Sequence, residues 1–244
     1  MISREAITEA ATKYHTRDIN IAREYVQHLF LNFLYKKPDS EHLLFKGGTA
    51  LRIVYDSPRF SEDLDFSSYG LSSKKVEELF LGALSDLEQL GLSIALHEKS
   101  HETSGGYYGE ATVKIYEHNI ALEINVNAKT DKTMVGEYKL IRSDLVTNYG
   151  LQMLPGKLLV QEKLQALITR RKPRDFYDLY FMLRAGLISF EQKQLLAQIL
   201  TIVETADIDF RQELEVFLPR DQQSLIRDFK SNLIAEIKRN AGTI

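Results

Sequence analysis

Residues 45–67 read FKGGTALRIVYDSPRFSEDLDFS, and this stretch decides the fold class. Lys46, Gly47 and Gly48 lead into Thr49 and the apolar run ALRIVY, so a glycine turn feeds a helix starting at Thr49 or Ala50 that must end before Pro58. Asp63 and Asp65 follow, separated only by Leu64. In an extended strand that spacing places both carboxylates on one face and Leu64 and Phe66 on the other.

The pairing suggests a chemistry. Same-face carboxylates, joined by a third from a neighbouring strand, form a hard-oxygen set suited to one or two Mg²⁺ ions that would accept triphosphate oxygens. The Lys46-Gly47-Gly48-Thr49 turn supplies the complementary half. Glycines let a ligand approach backbone N–H groups closely, and the positive end of the following helix points at an anion. Thr49 is expected to add its hydroxyl and Lys46 its charge. An Asp-x-Asp pair alone more often decorates a solvated loop; the preceding turn is what raises it to a candidate site.

Outward from this centre, residues 18–35 carry apolar positions at helical spacing, with Asp18 as N-cap and Pro38 beyond the end. Residues 72–90 predict a second helix, opened by Ser72 or Ser73 and closed near Gly91. The middle of the chain reads as strands: LSIALHEK, then YGEATVKIYE and ALEINVNA as a hairpin around His118-Asn119. Within ALEINV, Glu123 and Asn125 share one face, so Glu123 is the candidate third acid; an edge-strand acid is the plainer alternative.

After about residue 150 the pattern turns helical, over 156–169, from Asp175 as a cap, and over roughly 190–204, 210–217 and 222–239. The expected fold class is therefore α+β, with a catalytic lobe at 1–150 and a helical lobe at 151–244 completing the active-site cleft. Lys163 interrupts an apolar helical pattern, and either snorkels outward or reaches a nucleotide phosphate. Asp175 and Asp178 sit where a capping box would.

Composition narrows the classes. The chain has 244 residues with no cysteine and no tryptophan, which excludes disulfides and thiolate metal sites. Six histidines lack any His-Glu-x-x-His arrangement, and GGTAL has neither the dinucleotide glycine fingerprint nor a P-loop ending. No run approaches the roughly 20 apolar residues of a spanning helix, and no secretory leader is visible, so a cytoplasmic protein without membrane association is expected. Net charge is only −3, yet Lys157, Lys163, Arg170, Arg171, Lys172 and Arg174 cluster against the single acid Glu162. That segment could face phosphates or simply be solvated.

FKGGTAL at 45–51, RFSEDLDF at 59–66, EKLQAL at 162–167 and RRKPRDFYDLY at 170–180, in that order after an amphipathic helix, make the chain resemble the nucleotidyltransferase family of AbiEii/AbiGii-type toxins. The resemblance implies a nucleotidyltransferase fold with a small mixed sheet and a helical C-terminal region. It puts the family's glycine motif on Gly47, Gly48 and Thr49, its metal-binding acids on Asp63 and Asp65, and its third acid on Glu123. Its motif lysine falls on Lys163, and its last motif on Arg174 to Asp178, where Asp175 or Asp178 is expected to be functional and Arg174 to contact nucleotide. It further implies Mg²⁺, an NTP substrate, a tRNA 3′ end as acceptor and a cognate antitoxin. Nucleotidyl transfer to a protein or small molecule, and a nonenzymatic RNA-binding module, are the other readings.

Overall fold

A computed structural model of the protein describes residues 1–98, 100–103, 105–130 and 134–242. The chain forms two compact units. One comprises residues 1–56 and 60–154, the other residues 57–59 and 155–244.

In chain order the first unit contains α1 (Arg4–Lys13), α2 (Asp18–Leu34), β1 (Leu43–Lys46), α3 (Gly47–Tyr55), β2 (Leu64–Tyr69) and α4 (Ser73–Gln89). These are followed by β3 (Ser93–Leu96), β4 (His101–Thr103), β5 (Gly106–Ile115), β6 (His118–Lys129), β7 (Glu137–Ile141) and β8 (Tyr149–Met153). The strands build one mixed sheet in the order β3-β5-β6-β2-β1-β8-β7, with β4 also on β5. β2–β6 and β1–β8 are parallel and the other pairs antiparallel.

The period-two pattern divides the sheet's faces. Leu64, Phe66, Leu122, Ile124, Val126, Ala111 and Val113 are buried, and α2 and α4 pack on β6 and β5 respectively. Phe30 of α2 meets Phe80 of α4 with ring centroids 5.9 Å apart, and Phe80 meets Tyr107 at 6.3 Å. Each fully buried Phe or Leu contributes about 1.5–3 kcal/mol. Asp65, Glu123, Asn125, Tyr108 and Glu110 alternate with these apolar positions and so occupy the opposite face, while Asp63, expected in the strand, immediately precedes it.

Helix ends follow local chemistry. Ser72 caps α4 by accepting from the Lys75 N–H at 3.2 Å, and Gly91 just past its end takes φ 96°. The expectation that Asp18 caps α2 is corrected: Arg17 is the N-cap, Asp18 is the first helical residue, and its carboxylate accepts from Thr8 at 2.8 Å. The β5–β6 hairpin turns at Tyr116-Glu117 rather than around His118-Asn119, with Tyr116 at φ 52°. Strand β7 falls where no element is expected, and β8 runs past residue 150 into the span expected to be helical.

The second unit comprises α5 (Gly156–Thr169), α6 (Pro173–Arg184), α7 (Phe190–Lys193), α8 (Leu196–Thr205), α9 (Phe210–Phe217), α10 (Gln223–Arg227) and α11 (Phe229–Ala241). The continuous helices expected over 190–204 and 222–239 are each broken, at Gln194–Leu195 and at Asp228. Its core joins Phe176, Tyr177, Phe210 and Phe229, the last two with ring centroids 5.0 Å apart. Among the described residues no helix is long and apolar enough to cross a membrane.

Candidate active site

The glycine turn and the acids form one piece of structure. Gly47 opens α3 with φ +85°, a backbone state that disfavours any side chain. A Cβ there would also lie 2.2 Å from Asp65 Oδ2. The Asp65 carboxylate thus rests directly on the first residue of α3, at the positive end of the helix. Strand register puts Lys46 opposite Asp65, and the Lys46 ammonium donates to Asn127 Oδ1 at 3.0 Å. Lys46 is buried on the acid-bearing face.

Thr49 takes a different part from the one expected. It is fully buried, and its hydroxyl donates to the main-chain carbonyl of Asp63. A hydroxyl has one hydrogen to give, so Thr49 fastens the acid segment to the turn instead of offering that hydrogen to a phosphate. Of Thr49, the backbone N–H is then what remains to face a ligand at the start of α3. Gln27 assists by donating to the carbonyls of Ser61 and Glu62 at 3.0 and 2.7 Å.

Glu123 lies on β6, on the same face as Asp65. β2 and β6 run parallel with Leu64 opposite Ile124 and Asp65 opposite Asn125, which brings Glu123 alongside Asp63. Burial raises the Glu123 pKa, and the negative charge of Asp63 raises it further. Cross-strand from Glu123 is Glu110, and the Tyr108 hydroxyl lies 3.0 Å from Glu110 Oε2 and 3.2 Å from Glu123 Oε2. One phenolic hydrogen cannot serve both carboxylates at once. Burial and these acids hold the Tyr108 pKa well above its usual value.

This donor set fits a magnesium ion. The oxygens are hard, and the Asp63–Glu123 repulsion is what a divalent cation relieves. Among the described residues no three Asp, Glu or His side chains gather into a ready-made cage. Mg²⁺ commonly takes one or two carboxylates and completes its shell with waters and substrate phosphates.

The remaining candidates fall in the second unit, where the structure separates them. Asp178, 1% exposed, accepts from Arg59 Nε and Nη2 at 3.0 and 2.9 Å on one oxygen and from Lys163 Nζ at 2.7 Å on the other. Burial pushes the Asp178 pKa up, but the two cations and their hydrogen bonds outweigh it and hold the carboxyl below its ordinary value. Lys163 therefore neither snorkels nor stands alone.

Asp175 is not the N-cap but the third residue of α6. Its carboxylate accepts from the Lys172 N–H at 3.0 Å and from Arg170 Nε at 3.0 Å, with a second, shorter contact to Arg170 Nη2. It is the acidic partner of a capping box, the part expected of Asp178. Arg174, expected on nucleotide, lies 3.5 Å from Glu213 Oε1. The structure thus joins Lys163 to Asp178 and leaves Asp175 and Arg174 in contacts of their own.

Sequence reasoning passed over Arg59, Tyr108, Glu110 and Asn127. The last three were findable, because period two in YGEATVKI and ALEINVNA puts them on the face of Glu123. Arg59 offered no such signal: its partner is 119 residues away.

Comparison with known proteins identifies the fold and the family. No curated protein matches the chain. Solved structures do: JHP933 from Helicobacter pylori aligns with a TM-score of 0.66 at 18% identity, over 93% of this chain and 94% of that one. MenT4, a nucleotidyltransferase toxin from Mycobacterium tuberculosis, aligns with a TM-score of 0.68 at 15% identity, over 98% and 90% respectively. At these identities the likeness establishes the fold, a mixed sheet with a helical C-terminal region. The family model described as nucleotidyl transferase AbiEii toxin, type IV TA system, matches residues 29–241. With the glycine turn, the paired acids and the Lys163–Asp178 pair falling inside that match, the chain belongs to the AbiEii family of nucleotidyltransferase toxins of type IV toxin–antitoxin systems.

Proposed function

We propose that the protein moves a nucleoside monophosphate from an NTP to an acceptor hydroxyl, that the acceptor is the 3′ end of an RNA of the tRNA class, and that the reaction needs Mg²⁺. The observation that carries this reading is the seating of the Asp65 carboxylate on Gly47. Groups that grip phosphate and groups that attract a metal are thereby held within one turn of chain.

In this reading the N–H groups at the start of α3, from Gly47, Gly48 and Thr49, bind the triphosphate, and Lys46 adds positive charge beside it. Asp63, Asp65 and Glu123 would hold Mg²⁺, which when bound supplies positive charge to the departing pyrophosphate and to the attacking oxygen. The acceptor oxygen forms a bond to the α-phosphorus, the bond from that phosphorus to the bridging oxygen of pyrophosphate breaks, and the hydroxyl proton passes to a carboxylate of the acid cluster or to water. Alignment and charge stabilisation supply most of the acceleration. Lys163, oriented by Asp178, is assigned to a substrate phosphate. The antitoxin is the expected protein partner and the cytoplasm the expected compartment.

The test is direct. Purified protein is incubated with each of the four labelled nucleoside triphosphates, with and without Mg²⁺, and with separate pools of cellular RNA and protein. A labelled band of tRNA size that requires Mg²⁺ is expected. Asp63→Ala and Asp65→Ala should each abolish it while melting close to the parent. Near-normal transfer by either variant refutes the assignment, and label appearing only in the protein pool moves the acceptor to a protein.

A further inference from the structure

The strand registers align five polar side chains in one row across the sheet. Lys46 of β1 lies opposite Asp65 of β2, Asp65 opposite Asn125 of β6, Asn125 opposite Tyr108 of β5, and Tyr108 opposite His101 of β4. Cross-strand partners share a face, so the row runs from cation through carboxylate and amide to two aromatic rings. Neighbouring strands are about 4.8 Å apart, which puts the Tyr108 backbone about 10 Å and that of His101 about 14 Å from Asp65.

The direction of this row has chemical meaning. In-line displacement puts the attacking and leaving oxygens on opposite sides of the phosphorus. The α3 turn that would hold the triphosphate follows β1, on one side of Asp65. The acceptor must then approach from the other side, along β6 and β5. There the rings of Tyr108 and His101 meet, with centroids 5.9 Å apart and planes tilted by 51°. At that tilt they do not close face to face on one another. His101 is exposed, while Tyr108 is half-buried and held at its hydroxyl by Glu110 and Glu123. Single-stranded RNA is typically bound by stacking its bases on such rings.

We propose that His101 and Tyr108 form a platform on which the terminal base of the acceptor RNA stacks, delivering its hydroxyl toward Asp63, Asp65 and Glu123. The inference rests on the nucleotidyl-transfer reading and extends it to a subsite for the acceptor.

The probe is a short single-stranded oligoribonucleotide ending in 2-aminopurine, whose fluorescence falls on stacking. The full-length protein should quench it, His101→Ala should lose most of the quenching, and His101→Phe, which restores a ring, should recover it. As an exposed position, His101 tolerates these changes without loss of fold. In the transfer assay His101→Ala should raise the KM for the oligonucleotide by roughly ten- to a hundredfold, with the KM for NTP and kcat little altered. Tyr108→Phe, keeping the ring but not the hydroxyl, should preserve quenching, whereas Tyr108→Leu should not. Transfer to RNA with quenching and KM indifferent to His101 overturns the platform and leaves the transferase reading intact. Quenching that depends on His101 without any transfer supports the platform and overturns the transferase reading. Transfer confined to protein acceptors overturns the platform.

Discussion

At the scale of single residues, Gly47 carries two constraints that a comparison can separate. Its φ of +85° would strain any side chain, and a Cβ would strike the Asp65 carboxylate at 2.2 Å. Gly70 has nearly the same backbone state, φ +79°, with nothing within 4 Å of its Cβ position. Gly70→Ala should cost about 1–3 kcal/mol of stability, read as a lowered melting temperature, and Gly47→Ala more, because the clash with Asp65 adds to the strain. Only Gly47→Ala should also remove transfer activity, measured at a temperature where both variants are folded. Equal activity loss in the two would mean that strain, not the position of Asp65, is what matters. Glu123 makes the opposite kind of prediction. Its pKa is raised by burial and by Asp63, so its charged form is disfavoured in the folded protein: the associated stability is full below the unfolded pKa and lost as pH rises through the folded one. Glu123→Gln should therefore melt higher than the parent at pH 7 without metal, the gap closing on acidification, while transfer falls. A lower melting temperature for Glu123→Gln at pH 7 would count against a repulsive acid cluster.

At the scale of elements, what the sequence disclosed was whatever local rules determine. The Ser72 cap, the Gly91 stop and the span 156–169 were all legible from neighbours in the chain. So was the face shared by Asp65 and Glu123, since alternation within a strand is local even though pairing is not. β8 keeps a period-two pattern, with Tyr149, Leu151 and Met153 buried, but it is short and its parallel partner β1 is about a hundred residues away in the chain. The part of Asp178 was missed for the same reason. A capping box is written in four adjacent residues, whereas the Arg59–Asp178–Lys163 cluster joins α5, α6 and the 57–59 segment. That cluster yields a prediction with a definite sign. Asp178→Asn removes the carboxylate that faces both Arg59 and Lys163, at a cost of about 3–5 kcal/mol. The Asp178 pKa is lowered, so its stabilisation is present above the unfolded value and lost as pH falls through the folded one. The difference in unfolding free energy between parent and Asp178→Asn should hence shrink as the pH drops below the ordinary carboxylate range. A pH-independent difference would show that Asp178 acts through shape and not charge. It also follows that lost transfer in Asp178→Asn indicates a catalytic part only if it persists where the variant is fully folded.

At the scale of the whole molecule, the net charge of −3 leaves RNA affinity to local cations. By sequence the segment 157–174 offers six of them. The structure engages four: Lys157 lies 3.5 Å from Glu191, Lys163 pairs with Asp178, Arg170 with Asp175 and Arg174 with Glu213. Among the described residues Arg171 and Lys172 have no such carboxylate partner, and both are exposed, with Arg171 held at φ 56°. Counterion release on single strands gives a slope in log K against log salt of roughly −0.7 per neutralised phosphate, so this segment contributes roughly −1.4 rather than the roughly −4 expected of six free cations. Titrating a labelled single-stranded RNA at several KCl concentrations checks this. The double variant Arg171→Ala, Lys172→Ala should flatten the slope by about 1.4 and weaken binding at low salt whatever the RNA sequence. Lys157→Ala should change the slope far less, because its charge already faces Glu191. If Lys157→Ala flattens the slope as much as a single Arg171 or Lys172 replacement does, the internal pairing does not withhold these cations from RNA, and the whole segment must be counted as its binding surface.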